Sequence, residues 1–163
     1  MDRLWSPWRY EYIASSDAAN PETSGCVFCK LRDDPDQDEA NFVLHRGSYN
    51  FVVLNLYPYI SGHLLIVPYE HVGELDAATK ETTDELMELT KRSQTALRDA
   101  YQPNGFNIGM NLGRSAGAGI VDHIHIHILP RWVGDTNFMS TVGNTRVIPE
   151  DLSTTYEKLR TRF

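Results

Sequence analysis

Six histidines stand in this chain of 163 residues, and three fall within five positions, His123-Ile124-His125-Ile126-His127. On an extended strand, successive side chains point to opposite faces. The three imidazoles therefore share one face, and Ile124, Ile126 and Ile128 share the other. The isoleucines can anchor their face in a core while the histidines line a more open surface. Alternate strand residues sit about 7 Å apart, which puts His123 and His127 about 14 Å from each other. One zinc with ligand bonds of about 2 Å reaches two such neighbours but hardly three. The run is thus expected to divide its labour. A neutral imidazole, with an ordinary pKa of about 6.5, can attack phosphorus at physiological pH.

Cys26 and Cys29 have the Cys-x-x-Cys spacing that supplies half of a tetrahedral metal site. His71, just after the apolar run ending in Pro68, and His123, at the entry to the histidine run, are the candidates for the other half. A redox pair, or two buried thiols under the aromatic N-terminal segment, are the competing readings of this spacing. His63, His125 and His127 remain, close to the loop Gly113-Arg114-Ser115-Ala116-Gly117-Ala118-Gly119. Its glycines, Gly117 and Gly119 among them, let backbone N–H groups approach an anion, and Arg114 adds positive charge. Set between Asn111 and a histidine nucleophile, this loop reads as a phosphate cradle. No serine or cysteine is evidently paired with a base, so phosphoryl chemistry fits better than peptide hydrolysis.

The elements that must position these groups follow from hydrophobic period. Residues 41–45 and 50–55 read as strands around a turn at Arg46-Gly47-Ser48. The run from His63 to Pro68 is a short apolar strand. From Glu74 to Ala100 the period lengthens, and Leu75, Leu86, Met87, Leu89, Ala96, Leu97 and Ala100 predict one long amphipathic helix, or two. Residues 106–112 and 120–129 read as further strands, the second closed by Pro130, and 152–159 as a terminal helix. The polar stretches on either side of the Cys26–Cys29 knuckle read as loops. Without repeated strand–helix alternation the fold class is α+β with an antiparallel sheet.

Composition bounds the rest. With 41% hydrophobic and 23% charged residues, the chain is ordinary globular in make-up, of a length for one domain. Subtracting 22 acids from 15 Lys plus Arg gives −7, which argues against a general nucleic-acid or anionic-membrane binder. No apolar run is long enough to span a membrane, and the start lacks a signal-peptide core, so a cytoplasmic protein is expected. Trp5 and Trp8 read as packing or dimer-contact residues, and His45 as an ordinary hairpin residue.

The run His123-Ile124-His125-Ile126-His127-Ile128-Leu129 resembles the signature of the histidine-triad (HIT) family, in which histidines alternate with apolar residues. The likeness extends to Asn55, to Ser61-Gly62-His63-Leu64-Leu65-Ile66-Val67-Pro68, and to Cys26-Val27-Phe28-Cys29, which is similar to the knuckle of zinc-bearing members. Leu54-Asn55-Leu56-Tyr57-Pro58-Tyr59, the segment from Pro130-Arg131-Trp132 to Phe138, and Leu4-Trp5-Ser6-Pro7-Trp8-Arg9 resemble the branch that cleaves diadenosine polyphosphates, especially its small bacterial phosphorylase-like members.

The resemblance implies a HIT-like fold over a single domain, 1–163, with an N-terminal extension at 1–25 and a C-terminal segment at 133–163. It implies a five-stranded antiparallel sheet with one long helix and a C-terminal helix, and a homodimer joined edge to edge. By matching position, His125 would be the nucleophile that forms a nucleotidyl-imidazole, with His63 and His127 supporting it and the phosphates. Asn55 would contact ribose and Asn111 the α-phosphate, while Cys26, Cys29, His71 and His123 would hold a structural zinc. The implied activity is cleavage of dinucleoside polyphosphates with water or phosphate as acceptor. A nucleoside phosphoramidate hydrolase and a non-catalytic nucleotide-binding module are the alternatives. Many members carry Gln-Ser or Gln-Thr where this chain has Gly119-Ile120, so a hydroxyl that could help protonate the leaving group is missing.

Overall fold

A computed structural model describes residues 25–143, 145 and 147–163, so the expectations for Trp5, Trp8 and nearly all of the N-terminal extension lie outside the described residues. In chain order the main elements are α1 (Val27–Asp33), β1 (Val43–Arg46), β2 (Asn50–Leu54), β3 (Leu64–Pro68), α2 (Lys80–Tyr101), β4 (Gly105–Gly109), β5 (Ile126–Arg131), the single turn α3 (Phe138–Thr141) and α4 (Leu152–Leu159). The five strands form one antiparallel sheet in the order β1-β2-β3-β5-β4. The architecture is the α+β arrangement expected from the sequence.

Every residue of β2 and β3 is buried, because both sheet faces are covered at the centre. On one face Val52, Leu54, Leu64, Ile66, Ile126 and Ile128 pack with Leu86, Leu89 and Leu97 of α2 and Tyr156 and Leu159 of α4. On the other, Phe51, Val53, Leu65 and Val67 pack under Phe28 of α1. Burial of this apolar surface is the main force holding the layers together.

α2 starts where Thr79 accepts the Thr82 N–H at its hydroxyl, and ends at Gln102 in the left-handed region, just before Pro103. Leu75 belongs to a separate short turn, Leu75–Ala77, cut off by extended backbone at Ala78. The buried stripe runs instead through Thr82, Leu86, Leu89, Thr90, Ser93, Ala96 and Leu97, and Met87 is 54% exposed. Leu75 and Met87 therefore drop out of the expected core.

Several boundaries differ from the sequence reading. The knuckle is not flanked by loop on its C-terminal side, because Cys29 and the residues after it form α1, which Phe28 anchors in the core. β4 stops at Gly109, short of Leu112, and β5 begins at Ile126, leaving His123 and His125 on the approach to the strand. β5 also continues through Pro130. β3 begins only at Leu64, so Pro130 has Gly62 as its neighbour on that side, at φ +77°. A Cβ at Gly62 would lie 3.0 Å from Leu97 and 3.2 Å from Pro130, and only glycine suits both the space and the backbone.

Candidate active site and metal cluster

β3–β5 pairing sets the site. Leu65 stands opposite His127, so His127 shares Leu65's face, beneath α1, while Ile126 and Ile128 pair with Ile66 and Leu64 on the face of α2. His123 and His125 lie on His127's side as well. Their rings sit 5.4 Å and 5.0 Å from Phe28, and the His125 ring is 4.8 Å from that of His127. Ile124 is buried. The division of faces read from alternation thus extends past the end of the strand itself.

His63, ahead of β3, completes this group. Its Nδ1 accepts the Tyr59 N–H at 3.1 Å, and the Asn55 amide Nδ2 lies 3.3 Å from the same nitrogen. A neutral ring that accepts at Nδ1 carries its proton on Nε2, which stands 2.9 Å from His127 Nδ1. His127 then accepts at Nδ1 and holds its own proton on Nε2. That Nε2 is buried without a hydrogen-bond partner among the described residues. His125 is set the other way round. Its Nδ1 lies 3.0 Å from the His123 carbonyl, so the proton sits there and Nε2 keeps a free lone pair.

Burial keeps these rings neutral. Desolvation, with repulsion from His127 and His125, pushes His63 down to about 3. Desolvation, with repulsion from His125, pushes His127 down to about 4. Desolvation also lowers His125, against the hydrogen bond to the His123 carbonyl. The group as a whole therefore offers one basic ring nitrogen next to one N–H donor.

His123 turns toward a second cluster. Cys26 Sγ is 3.3 Å and Cys29 Sγ 3.8 Å from His123 Nδ1, and His71 Nδ1 is 3.2 Å from both Cys29 Sγ and His123 Nδ1. All four ligand atoms lie within 4.8 Å of one another. A tetrahedral ion with ligand bonds of about 2.0–2.3 Å separates its ligands by about 3.3–3.8 Å, so the cluster has the right size to hold one. His123 Nε2–H donates to the Pro68 carbonyl at 2.9 Å, which leaves Nδ1 bare and free to coordinate. The two competing readings of Cys26 and Cys29 fare worse. Both thiols are only half-buried, and burial together with Cys26 pushes the Cys29 thiol up, away from the low value a redox nucleophile needs.

Asn55 is half-buried. Its Oδ1 accepts the Tyr57 N–H at 3.0 Å, so both ends of its amide are engaged locally. Asn111 lies two residues beyond Gly109, the register partner of His127, and is half-buried. The loop after it makes one short turn, Arg114–Ala116, ended by Gly117 at φ +87°, while Gly119 is exposed and Ile120 packs toward Phe28. Three groups escaped the sequence reading as contributors to the site. Tyr59 donates its N–H to His63 and lays its ring 4.7 Å from His63 and 6.0 Å from His127. Phe28 and the Pro68 carbonyl are the others. Tyr59 and Phe28 both fall inside motifs the sequence had singled out, so position in those motifs was the available signal.

The HIT domain family model matches residues 37–133. The chain is 39% identical to the AP-4-A phosphorylase of Mycobacterium tuberculosis, an alignment spanning 100% of this chain and 85% of that protein. It is 29% identical to an adenosine 5'-monophosphoramidase of Saccharomyces cerevisiae, over 74% of this chain and 72% of that one. A Zn-bound histidine triad family protein from Mycobacterium smegmatis superposes with a TM-score of 0.68 at 28% identity, covering 85% of this chain and 92% of the other. With its histidine run, its sheet and these relatives in agreement, the chain belongs to the HIT domain family.

Proposed function

We propose that this protein is a nucleotidyl-transferring enzyme that cleaves dinucleoside polyphosphates at an α-phosphate through a covalent nucleotidyl-His125. The observation that carries the reading is the opposite protonation of two adjacent rings. His125 holds Nε2 bare because its Nδ1–H is bound to the His123 carbonyl, while His127 holds a buried N–H at Nε2 that has no partner among the described residues. A nucleophile and a donor for phosphate oxygens are what such a displacement requires.

In the first step His125 Nε2 forms a bond to the α-phosphorus, and the bond from that phosphorus to the bridging oxygen breaks, releasing a nucleoside polyphosphate. The positive charge that develops on the imidazole is met at Nδ1–H by the His123 carbonyl. The His127 Nε2–H donates to phosphate oxygen, and His63 keeps that proton on Nε2 by donating to His127 Nδ1. In the second step an acceptor oxygen attacks the phosphorus and His125 leaves. Asn111 and the amides around Gly117 and Gly119 are assigned to the phosphates, and Asn55 to ribose.

Inorganic phosphate is the proposed acceptor, in line with the full-length similarity to an AP-4-A phosphorylase. Gly119-Ile120 favours this substrate class over phosphoramidates. A polyphosphate departs as a stable anion, whereas an amine must be protonated as it leaves, and no side-chain hydroxyl stands at 119 or 120 to assist. Cys26, Cys29, His71 and His123 are proposed to bind a structural zinc, which would tie α1 to the approach of β5 and contribute folding energy. A homodimer would use the outer edge of β4, where Ile108 is exposed. Among the described residues no helix is long and apolar enough to cross a membrane.

The test is incubation of purified protein with diadenosine tetraphosphate, with and without inorganic phosphate, followed by resolution of the nucleotides. ADP plus ATP formed only with phosphate is the expected result. AMP plus ATP without phosphate would make the acceptor water, and no turnover in either tube would overturn the reading.

A further inference from the structure

The peptide unit between His123 and Ile124 lies outside the sheet ladder, because β5 joins β3 only at Ile126, opposite Ile66. It nevertheless orients the proposed nucleophile, since its carbonyl accepts the Nδ1–H of His125 at 3.0 Å. Something other than strand pairing must hold it in place. We propose that Cys26, Cys29, His71 and His123, once joined by a metal, act as a positioning device for the nucleophile, fixing this peptide and through it the tautomer of His125. This rests on the role of His125 proposed above and gives that role a means of control.

Three observations converge on this unit. First, both of its flanks are tied to candidate ligands. The His123 side chain places Nδ1 in the cluster, 3.3 Å from Cys26 Sγ, and donates its Nε2–H to the Pro68 carbonyl. The Ile124 N–H donates at 2.8 Å to the carbonyl of Val72, the residue after His71. His71 Nδ1 is itself 3.2 Å from His123 Nδ1. An ion gripping both histidines therefore closes a short bracket around the peptide.

Second, a trans peptide is planar, so its N–H and C=O point in opposite directions. With the Ile124 N–H held on Val72, the His123 carbonyl is aimed at His125, and rotating the plane would break both bonds at once. The two backbones are also in close contact, for a Cβ on Gly73 would stand 3.3 Å from the Val121 carbonyl oxygen and from Asp122 Cα. A shift of residues 71–73 is therefore passed to 121–124 and not absorbed by a gap. Third, Phe28 stands between the two cysteines in sequence, and its ring is 5.4 Å from that of His123 and 5.0 Å from that of His125. The cluster thus acts on His125 from two sides, through a carbonyl and through an aromatic ring. Once that carbonyl drifts away, the proton can pass to Nε2, and the nitrogen that attacks phosphorus is blocked.

The experiment reads the proton directly. Protein labelled with ¹⁵N-histidine is compared zinc-loaded, after chelation in the cold, and after zinc is restored, with amide spectra checking that the sheet is intact. The His125 shifts should move from the Nδ1–H pattern toward a mixture on chelation and return with zinc. His71→Ala, which leaves three ligands, should give the same mixture, lower kcat on diadenosine tetraphosphate roughly tenfold and leave KM within about twofold of wild type. His71→Cys, which restores a fourth ligand, should recover both the shifts and kcat. If chelation unfolds the chain, zinc-loaded His71→Ala decides by the same readout. An unchanged His125 pattern in the deciding state overturns the proposal. Loss of the whole fold in both states overturns it too, since the cluster would then hold the entire domain and not this one peptide, and so does protein that takes up no zinc. Because the tautomer is read without substrate, coupling seen in a protein that turns over no dinucleotide would remove the proposed function and leave the coupling standing.

Discussion

His63 Nε2 stands 2.9 Å from His127 Nδ1, and because His63 accepts the Tyr59 N–H at its other nitrogen, the proton in this pair belongs to His63. A backbone amide thereby determines which nitrogen of His127, 68 residues further along from Tyr59, faces outward with a hydrogen. His63→Phe should preserve ring packing beneath Tyr59 but release His127 to either tautomer. We expect kcat to fall by about 10²-fold with KM little changed, and the ¹⁵N shifts of His127 to move from the Nε2–H pattern toward a mixture. Unchanged His127 shifts in the variant would disprove the relay.

His125→Ala removes the ring whose Nε2 is left bare by the bond from Nδ1–H to the His123 carbonyl. Turnover should be lost while the fold and nucleotide binding persist. Mass spectrometry of wild-type protein quenched in alkali during turnover should find a nucleotidyl group on His125. Wild-type-like rates in the alanine variant would sink the covalent mechanism.

The pH dependence of stability follows from the same burial. His63 and His127 titrate at about 3 and about 4 when folded, below the ordinary value of about 6.5 in the unfolded chain. Between those limits the unfolded state binds more protons, so stability is full above about pH 6.5 and falls as pH drops, by up to about 1.4 kcal/mol per unit for each ring. Urea midpoints measured from pH 7.5 to 4.5 should decline through this window. Replacing His63 by phenylalanine should flatten the slope, and an unaltered slope would place the acid sensitivity elsewhere.

Metal analysis of purified protein should find about one zinc per chain. Chelation, or Cys29→Ser, should lower Tm markedly, since a structural zinc site contributes folding energy directly. His71→Ala should do the same, although His71 is exposed and its hydrogen-bond contacts are with Cys29 and His123 of the cluster. Metal-free protein of unchanged stability would rule the cluster out as a zinc site.

Glu85 of α2 latches the β1–β2 hairpin to the helix layer. Its carboxylate accepts the Ser48 N–H at 2.8 Å, the Tyr49 N–H at 2.7 Å and the Asn50 amide at 2.9 Å. A Cβ on Gly47 would stand 2.9 Å from that carboxylate. Glu85→Ala should cost about 1–3 kcal/mol, and Gly47→Ala a similar amount by dislodging the carboxylate. Denaturant titration of the two single variants and the double should reveal strong non-additivity. Additive losses would show that Gly47 and Glu85 act independently.

Much of the fold was legible because the chemistry of its elements is local. The short apolar runs at 50–54 and 64–68, the turn at Gly47, and the long-period stripe after Thr79 each reflect the geometry of a few consecutive residues. What misled was equally physical. Met87 stands one residue, about 100°, round the helix from Leu86 of the buried stripe and so points to solvent, and Leu75 lies outside α2 altogether. Polarity around Lys30 and Asp33 suggested loop, but Phe28, with Leu31 one turn on, seats α1 on the sheet.

For the site, the sequence by itself determined which residues could do chemistry. Three histidines at alternate positions of a strand face one way, and a Cys-x-x-Cys pair with two residues between its cysteines can grip one ion, since both follow from covalent geometry along the chain. Tertiary structure decided how those residues are used. Cys26 meets His123 across 97 positions of sequence, through the seating of α1 on the sheet, and His63 meets His127 across 64, through the antiparallel register of β3 on β5. The fold also supplies what no spacing encodes, a Tyr59 amide and two main-chain carbonyls that fix the proton on the rings they meet. Which nitrogen is nucleophile, donor or ligand depends on these distant hydrogen bonds, and therefore on the folded state alone.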